Sequence, residues 1–171
     1  MISRTAFNHT RHGHIGKLED DRVYVAYERQ LSHSIDKVWR AITDPDELRR
    51  WFPGIEIELR VGGKFQIWFD GECEGPAHVS GTITEYDPPH VLQMGTMRYE
   101  LQANESGCLL RFSDILAFEG PRTRQQFAIS VLGGWHAYLD KLELALAGKA
   151  DAGDVSEPDY SKIQVPGWEI L

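Results

Sequence analysis

The chain has 171 residues, 42% hydrophobic and 26% charged, a size and composition that suit one folded domain with a single core and exclude wholesale disorder. With 18 Lys and Arg against 26 Asp and Glu, the formal net charge is -8; no basic stripe offsets it, so nucleic acid is not an expected partner. The two cysteines, Cys73 and Cys108, match neither a zinc spacing nor a disulfide-dense secreted scaffold, and the chain shows neither a secretory signal nor the ~20 apolar residues of a membrane span, so reduced thiols and a cytoplasmic location are expected.

Residues 1–12 are polar and aperiodic and read as a flexible lead-in to a domain over 13–148. The run "GHIGKLEDDRVYVAYERQL" predicts two strands turning at Asp20-Asp21. Next, Ile35, Val38, Trp39 and Ile42 recur on one helical face behind the capping residue Ser34. Pro45 disfavours helical geometry at Asp44, which is itself placed to cap a second helix with Pro45 in its first position, Asp46 and Glu47 at the positive dipole end, and Leu48, Trp51 and Phe52 on one face up to Pro53-Gly54. Two helices this short cannot build a core alone and must pack on something larger.

That larger surface follows at once. "IEIELRV" and "KFQIWF" both alternate with period two around a tight turn at Gly62-Gly63. Further strands are predicted in "HVSGTITEY", in "VLQM" running to "MRYELQA", and in "CLLRFSDILAF", separated by "DPP" and "NESG" turns, which gives an antiparallel meander. A long helix is predicted from Arg124 to Ala147, with Phe127, Val131, Trp135, Tyr138, Leu142 and Leu146 at helical spacing and Gly148 as its stop; at about 36 Å it can cross a whole sheet. Residues 149–171 read as a polar tail ending in "WEIL", which either docks through Trp168, onto this chain or a twin subunit, or stays partly mobile.

The order of strands, paired short helices, six-strand meander and long terminal helix resembles the START-like, birch-pollen-allergen-like superfamily, also called SRPBCC. "VWRAITDPDELRRWF", "GGKF", "GTITEYDPPHVL" and "GGWHAYLDKLE" resemble its branch named after the activator of heat-shock protein 90 ATPase, over roughly Val23 to Gly148. The resemblance implies an α+β helix-grip fold: a curved antiparallel sheet with two short helices and a long C-terminal helix. It also implies a cavity between sheet and helix, used by relatives for sterols, lipids, polyketides or hormones and in some cases for catalysis. Co-chaperones of the branch carry a separate domain ahead of this one, for which 171 residues are expected to leave no room, a departure that puts ATPase stimulation in doubt.

Within that frame the paired short helices plug one end of the sheet and define a cavity mouth. Trp51, Phe52, Trp68, Trp135 and Tyr138 are expected to give apolar contact to a small hydrophobic molecule, with His78 or Tyr138 orienting it. Trp39, amid Ile35, Val38 and Ile42, reads as core. Gly133-Gly134 costs about 1 kcal/mol per glycine in a helix, which either room for a ligand or close approach of a strand or wedge helix must offset. His78, Glu85, Tyr86, Asp114, His136 and Tyr138 are the polar groups nearest the concave side, none with the spacing of a catalytic pair; His136 is expected to face solvent or the tail. The histidines His9, His12 and His14 read as lead-in rather than metal ligands. There is no G-x-S-x-G elbow and no G-x-G-x-x-G loop, and Cys73 and Cys108 lack the cationic neighbours of a reactive thiolate. No cofactor, metal or catalytic residue is expected. The readings that stand are a carrier of a small hydrophobic molecule, a protein-interaction module of co-chaperone or regulatory type, and an enzyme using the same cavity.

Overall fold

The computed structural model describes Ile2 and residues 11–52, 54–69, 71, 73–118 and 123–149. His9, and the tail beyond Lys149 with its Trp168, lie outside the described residues. The elements run β1 (His14–Lys17), β2 (Val23–Leu31), α1 (Ile35–Thr43), α2 (Pro45–Leu48), β3 (Gly54–Ile57), β4 (Lys64–Trp68), β5 (Val79–Asp87), β6 (Val91–Met94), β7 (Met97–Asn104), β8 (Gly107–Leu116) and α3 (Arg124–Leu146). All eight strands form one antiparallel sheet in the order β1-β2-β8-β7-β6-β5-β4-β3. This is the helix-grip α+β architecture, and the predicted six-strand meander is β3 to β8.

Local chemistry sets most of these boundaries. Ser34 accepts a hydrogen bond from the Lys37 amide at 3.4 Å and opens α1, whose buried face is Val38, Trp39, Ala41, Ile42 and Thr43. Asp44 Oδ1 accepts from the amides of Asp46 at 2.9 Å and Glu47 at 3.2 Å, capping α2 behind Pro45. Thr123 and Gln126 form a reciprocal capping box at the start of α3. Gly148, at φ +74°, ends it in the left-handed conformation that glycine adopts without a Cβ clash.

The β3–β4 connection is wider than the predicted glycine turn. Glu58 Oε2 accepts from Arg60 at 2.8 Å and from the Lys64 amide at 3.4 Å, so the chain leaves the ladder after Ile57 and returns at Lys64. The sheet bends over β4 and β5. The register of β5 on β6 slips between Ile83 and Glu85, leaving one residue extra on β5. Phe65 lies over Gly81, its cross-strand partner, where a Cβ would fall 2.9 Å from the ring.

α3, 23 residues and about 35 Å long, lies across the concave face. Its fully buried stripe is Ala128, Leu132, Trp135, Leu139, Leu142 and Leu146. The predicted stripe of Phe127, Val131 and Tyr138 is therefore its half-buried flank, with Trp135, Leu142 and Leu146 common to both. The rotation comes from β2: Tyr27 donates its hydroxyl to the Leu132 carbonyl, and Arg29 draws the other flank inward through ion pairs described below. Each fully buried Leu of this stripe contributes roughly 1.5–3 kcal/mol. The wedge closes the far end, where Lys37 Nζ donates to the Leu146 carbonyl at 2.7 Å and Trp51 Nε1 to the Ala41 carbonyl at 2.8 Å.

Candidate ligand site

Alternation along the strands places Phe65 and Ile67 of β4, Tyr99 and Leu101 of β7, and Phe112 and Asp114 of β8 on the concave face. Against them the wedge and α3 supply a chain of rings. Trp51 stands edge-on to Phe52 at 5.1 Å between centroids, Phe52 meets Trp135 at 6.0 Å and Tyr138 at 5.8 Å, and Trp135 packs on Phe112 at 4.3 Å. These spacings are those of favourable tilted and edge-to-face pairs. Four of the predicted contact residues, Trp51, Phe52, Trp135 and Tyr138, are thus brought together.

The other two are not placed alike. Trp68 points to the opposite face of β4 from Phe65 and Ile67, where its Nε1 donates to the Gly75 carbonyl at 3.2 Å, and it is 4% exposed. Its place in the ring chain is taken by Phe69, which continues the inward parity of Phe65 and Ile67 and stands 6.4 Å from Tyr138. His78 holds that ring: its Nδ1 accepts from the Phe69 amide at 3.0 Å and the two rings stack at 6.2 Å. His78 therefore touches the cluster through Phe69.

The cluster is open on this side. Phe69 is 44% exposed and Val79, the cross-strand partner of Ile67 and so on the same face, is 37% exposed. On α3, Gly134 lies on the flank of Val131 and Tyr138, three and four residues away, and a Cβ added to it would meet nothing within 4 Å. Close approach of a strand or wedge helix does not explain this glycine, whose outer side is open. Gly133, one residue earlier, is buried.

The acidic group on the concave face is Asp114, half-buried on β8. Its Oδ1 accepts from the Thr96 hydroxyl at 2.8 Å and its Oδ2 from Trp135 Nε1 at 3.1 Å. Burial raises its carboxyl above the ordinary range, with the two hydrogen bonds pulling the other way. Burial, with the Asp114 charge added, pushes the Tyr99 hydroxyl up as well. Glu85 is turned outward and paired with Arg98 at 2.5 Å, and Tyr86 packs on Trp39 at 5.8 Å, so neither reaches the rings.

His136 corrects the expectation of solvent exposure: it is 2% exposed. Arg29, also 2% exposed, donates to His136 Nδ1 at 3.0 Å and to Asp140 and Glu143 at 2.7 and 2.9 Å, while His136 Nε2 lies 3.1 Å from Asp140. With Nδ1 accepting, the proton sits on Nε2 and the ring is neutral; burial lowers its pKa, against the raising effect of Asp140. Arg11 adds a bridge to Glu143 at 2.9 Å and the His12 ring lies tilted against His136 at 5.3 Å, joining the end of the lead-in to α3. Arg29 is the residue that sequence reading missed. The signal was there: in "VYVAYERQL" it falls on the apolar stripe of Val23, Val25, Tyr27 and Leu31.

His14 meets Tyr24 edge-on at 5.8 Å, and among the described residues no group of three His, Cys, Asp or Glu is arranged to hold a metal ion. Cys73 is exposed and Cys108 buried, both free thiols, and burial raises the Cys108 pKa. No helix among the described residues is long and apolar enough to cross a membrane.

Comparison with known proteins places this geometry. The family model described as Activator of Hsp90 ATPase homolog 1-like protein matches residues 32–147. Among solved structures, a conserved protein of unknown function from Enterococcus faecalis, EF2215, superposes with a TM-score of 0.61 at 25% identity over 87% of this chain and 84% of its own. CalU16 from Micromonospora echinospora gives 0.59 at 23% identity, covering 79% of this chain and 83% of that one. MLL2253 from Mesorhizobium loti gives 0.56 at 24% identity, covering 73% and 97%. No curated protein matches the chain significantly.

Proposed function

Because the chain belongs to the Activator of Hsp90 ATPase homolog 1-like family, whose members bind hydrophobic ligands or act as co-chaperones, we propose that it is a binder of a small hydrophobic molecule held between the curved sheet and α3. The molecule lies against Phe52, Trp135 and Tyr138, enters past Phe69 and Val79, and occupies the space beside Gly134. The observation that carries the reading is a ring chain left uncovered at one edge, where the large apolar side chains of Phe69 and Val79 are exposed and nothing packs over the backbone of Gly134. Ligand sites are concave, mostly apolar and supplied with a few polar groups, and Asp114 with its two donors meets the last requirement.

The test is titration of an apolar fluorescent probe into the full chain, read by quenching of tryptophan emission. Gly134→Phe fills the space and abolishes probe binding while far-UV circular dichroism stays unchanged; Phe69→Ala weakens it. Unchanged binding in folded Gly134→Phe, or no saturable binding of any apolar probe by the native chain, overturns the assignment.

A further inference from the structure

Among the described residues Asp114 has no ion-pair partner; the nearest cation to the ring chain, the Lys141 ammonium, lies over the Tyr138 ring at 5.7 Å instead. Asp114 takes one hydrogen bond on each oxygen, from Thr96 and Trp135, whereas a carboxylate offers about four lone-pair positions. The cationic side chains on neighbouring strands are committed elsewhere. Arg98 of β7 pairs with Glu85 and Glu100 on the outer face, Arg111 of β8 pairs with Glu28, and Arg29 of β2 is held by Asp140 and Glu143. Asp114 is half-buried, and a carboxylate partly withdrawn from water without a counter-charge is disfavoured. The side chains that would surround a partner for it are aromatic: Trp135, which touches it, with Phe112 packed on Trp135 at 4.3 Å and Tyr99 on Phe112 at 4.7 Å.

We propose that the molecule bound here is an amphiphile whose polar end is an ammonium group, paired with Asp114, and whose apolar body lies along Trp135, Phe52 and Tyr138. The inference rests on the reading of the site as an apolar pocket and adds the sign of the ligand's charge. An ammonium forms a charge-assisted hydrogen bond with the unused carboxylate positions and lies over ring faces, whose quadrupole attracts a cation. A fatty-acid anion brings a second carboxylate to the first and is disfavoured. Burial that raises the Asp114 carboxyl is offset when the cation binds, so binding releases protons from the fraction of sites that are protonated.

The experiment is isothermal titration of the full chain at neutral pH with three probes of equal, short alkyl length: an alkylammonium, a primary alcohol and an alkanoate. The expected order is ammonium tightest, alcohol intermediate and alkanoate weakest, with at least about tenfold between the extremes. Asp114→Asn brings the three within about twofold of one another. Glu105→Gln, an exposed turn residue, keeps the native order and separates the local pairing from the general effect of the net charge. An alkanoate that binds as well as the ammonium, or an order that survives in Asp114→Asn, overturns the proposal. If Asp114→Asn does not fold, the order among the probes in the native chain decides alone. If none of the three binds, the pocket reading fails and takes this one with it, whereas binding with equal affinity leaves the pocket standing and removes only the ammonium.

Discussion

Gly134→Ala isolates the open space beside α3 from everything else in the site. An alanine Cβ at this position meets no atom within 4 Å, so packing contributes nothing in either direction and the helix itself decides the outcome. Alanine is favoured over glycine in a helix interior by about 1 kcal/mol, chiefly because glycine loses more backbone entropy on folding. The substitution should stabilise the protein by about 1 kcal/mol, which for a domain of this size raises Tm by roughly 2–4 °C. Urea unfolding followed by circular dichroism, with the transition midpoint compared at unchanged m, measures it directly. A destabilised Gly134→Ala would show that a strand or wedge side chain fills the space in solution. The open-site reasoning would then fail at its first step, before any ligand is tested.

The buried ion network gives a sharper loss. Arg29→Met removes a cation whose side chain is 1% exposed, leaving Asp140 and Glu143 only the more exposed Arg11 as a partner, and should cost about 3 kcal/mol in urea unfolding. Arg11→Ala, whose side chain is 54% exposed, should cost less than about 1 kcal/mol in the same assay. Trp51→Phe removes the donor to the Ala41 carbonyl and should cost about 1 kcal/mol by the same measurement. For pH, His136 is held below the ordinary histidine value near 6.5, so below that pH the unfolded chain binds more protons than the folded one and stability rises with pH. The contribution is complete above pH 6.5 and is lost as pH falls through and below it. His14 and His33 shift in the same direction, so His136→Gln, which can still accept from Arg29 and donate to Asp140, should reduce the acid slope of unfolding free energy without abolishing it.

The wedge is legible in the sequence because short-range chemistry makes it: Ser34, Asp44 and Pro45 each act on residues within one turn, and no distant contact is needed to place them. The rotation of α3 is not legible. Two stripes at helical spacing share Trp135, Leu142 and Leu146, and the choice between them is made by Tyr27 and Arg29, which bond to Leu132 and His136 across 105 and 107 positions. That is why His136 was expected outside and is found inside. Parity separates Trp68 from Phe69, since Phe65 and Ile67 already fix the inward face. Asp114 was legible as a polar group on the concave side. Its pairing with Thr96 and Trp135 was not, because it joins β8 to residues 18 and 21 positions away, in the turn before β7 and on α3.

The pairing of β2 with β8, from Val23 with Leu116 to Leu31 with Cys108, has a consequence for synthesis. A strand completed early on the ribosome must wait for the last strand of the sheet before one of its edges is hydrogen-bonded, and for α3 before its Val23, Val25 and Tyr27 stripe is shielded. Folding therefore cannot be completed stepwise behind the exit tunnel. Nascent chains stalled before Gly107 should be readily digested by added protease, whereas those extended well past Leu146 should resist it, and the interval between the two is when the polypeptide is most exposed to aggregation.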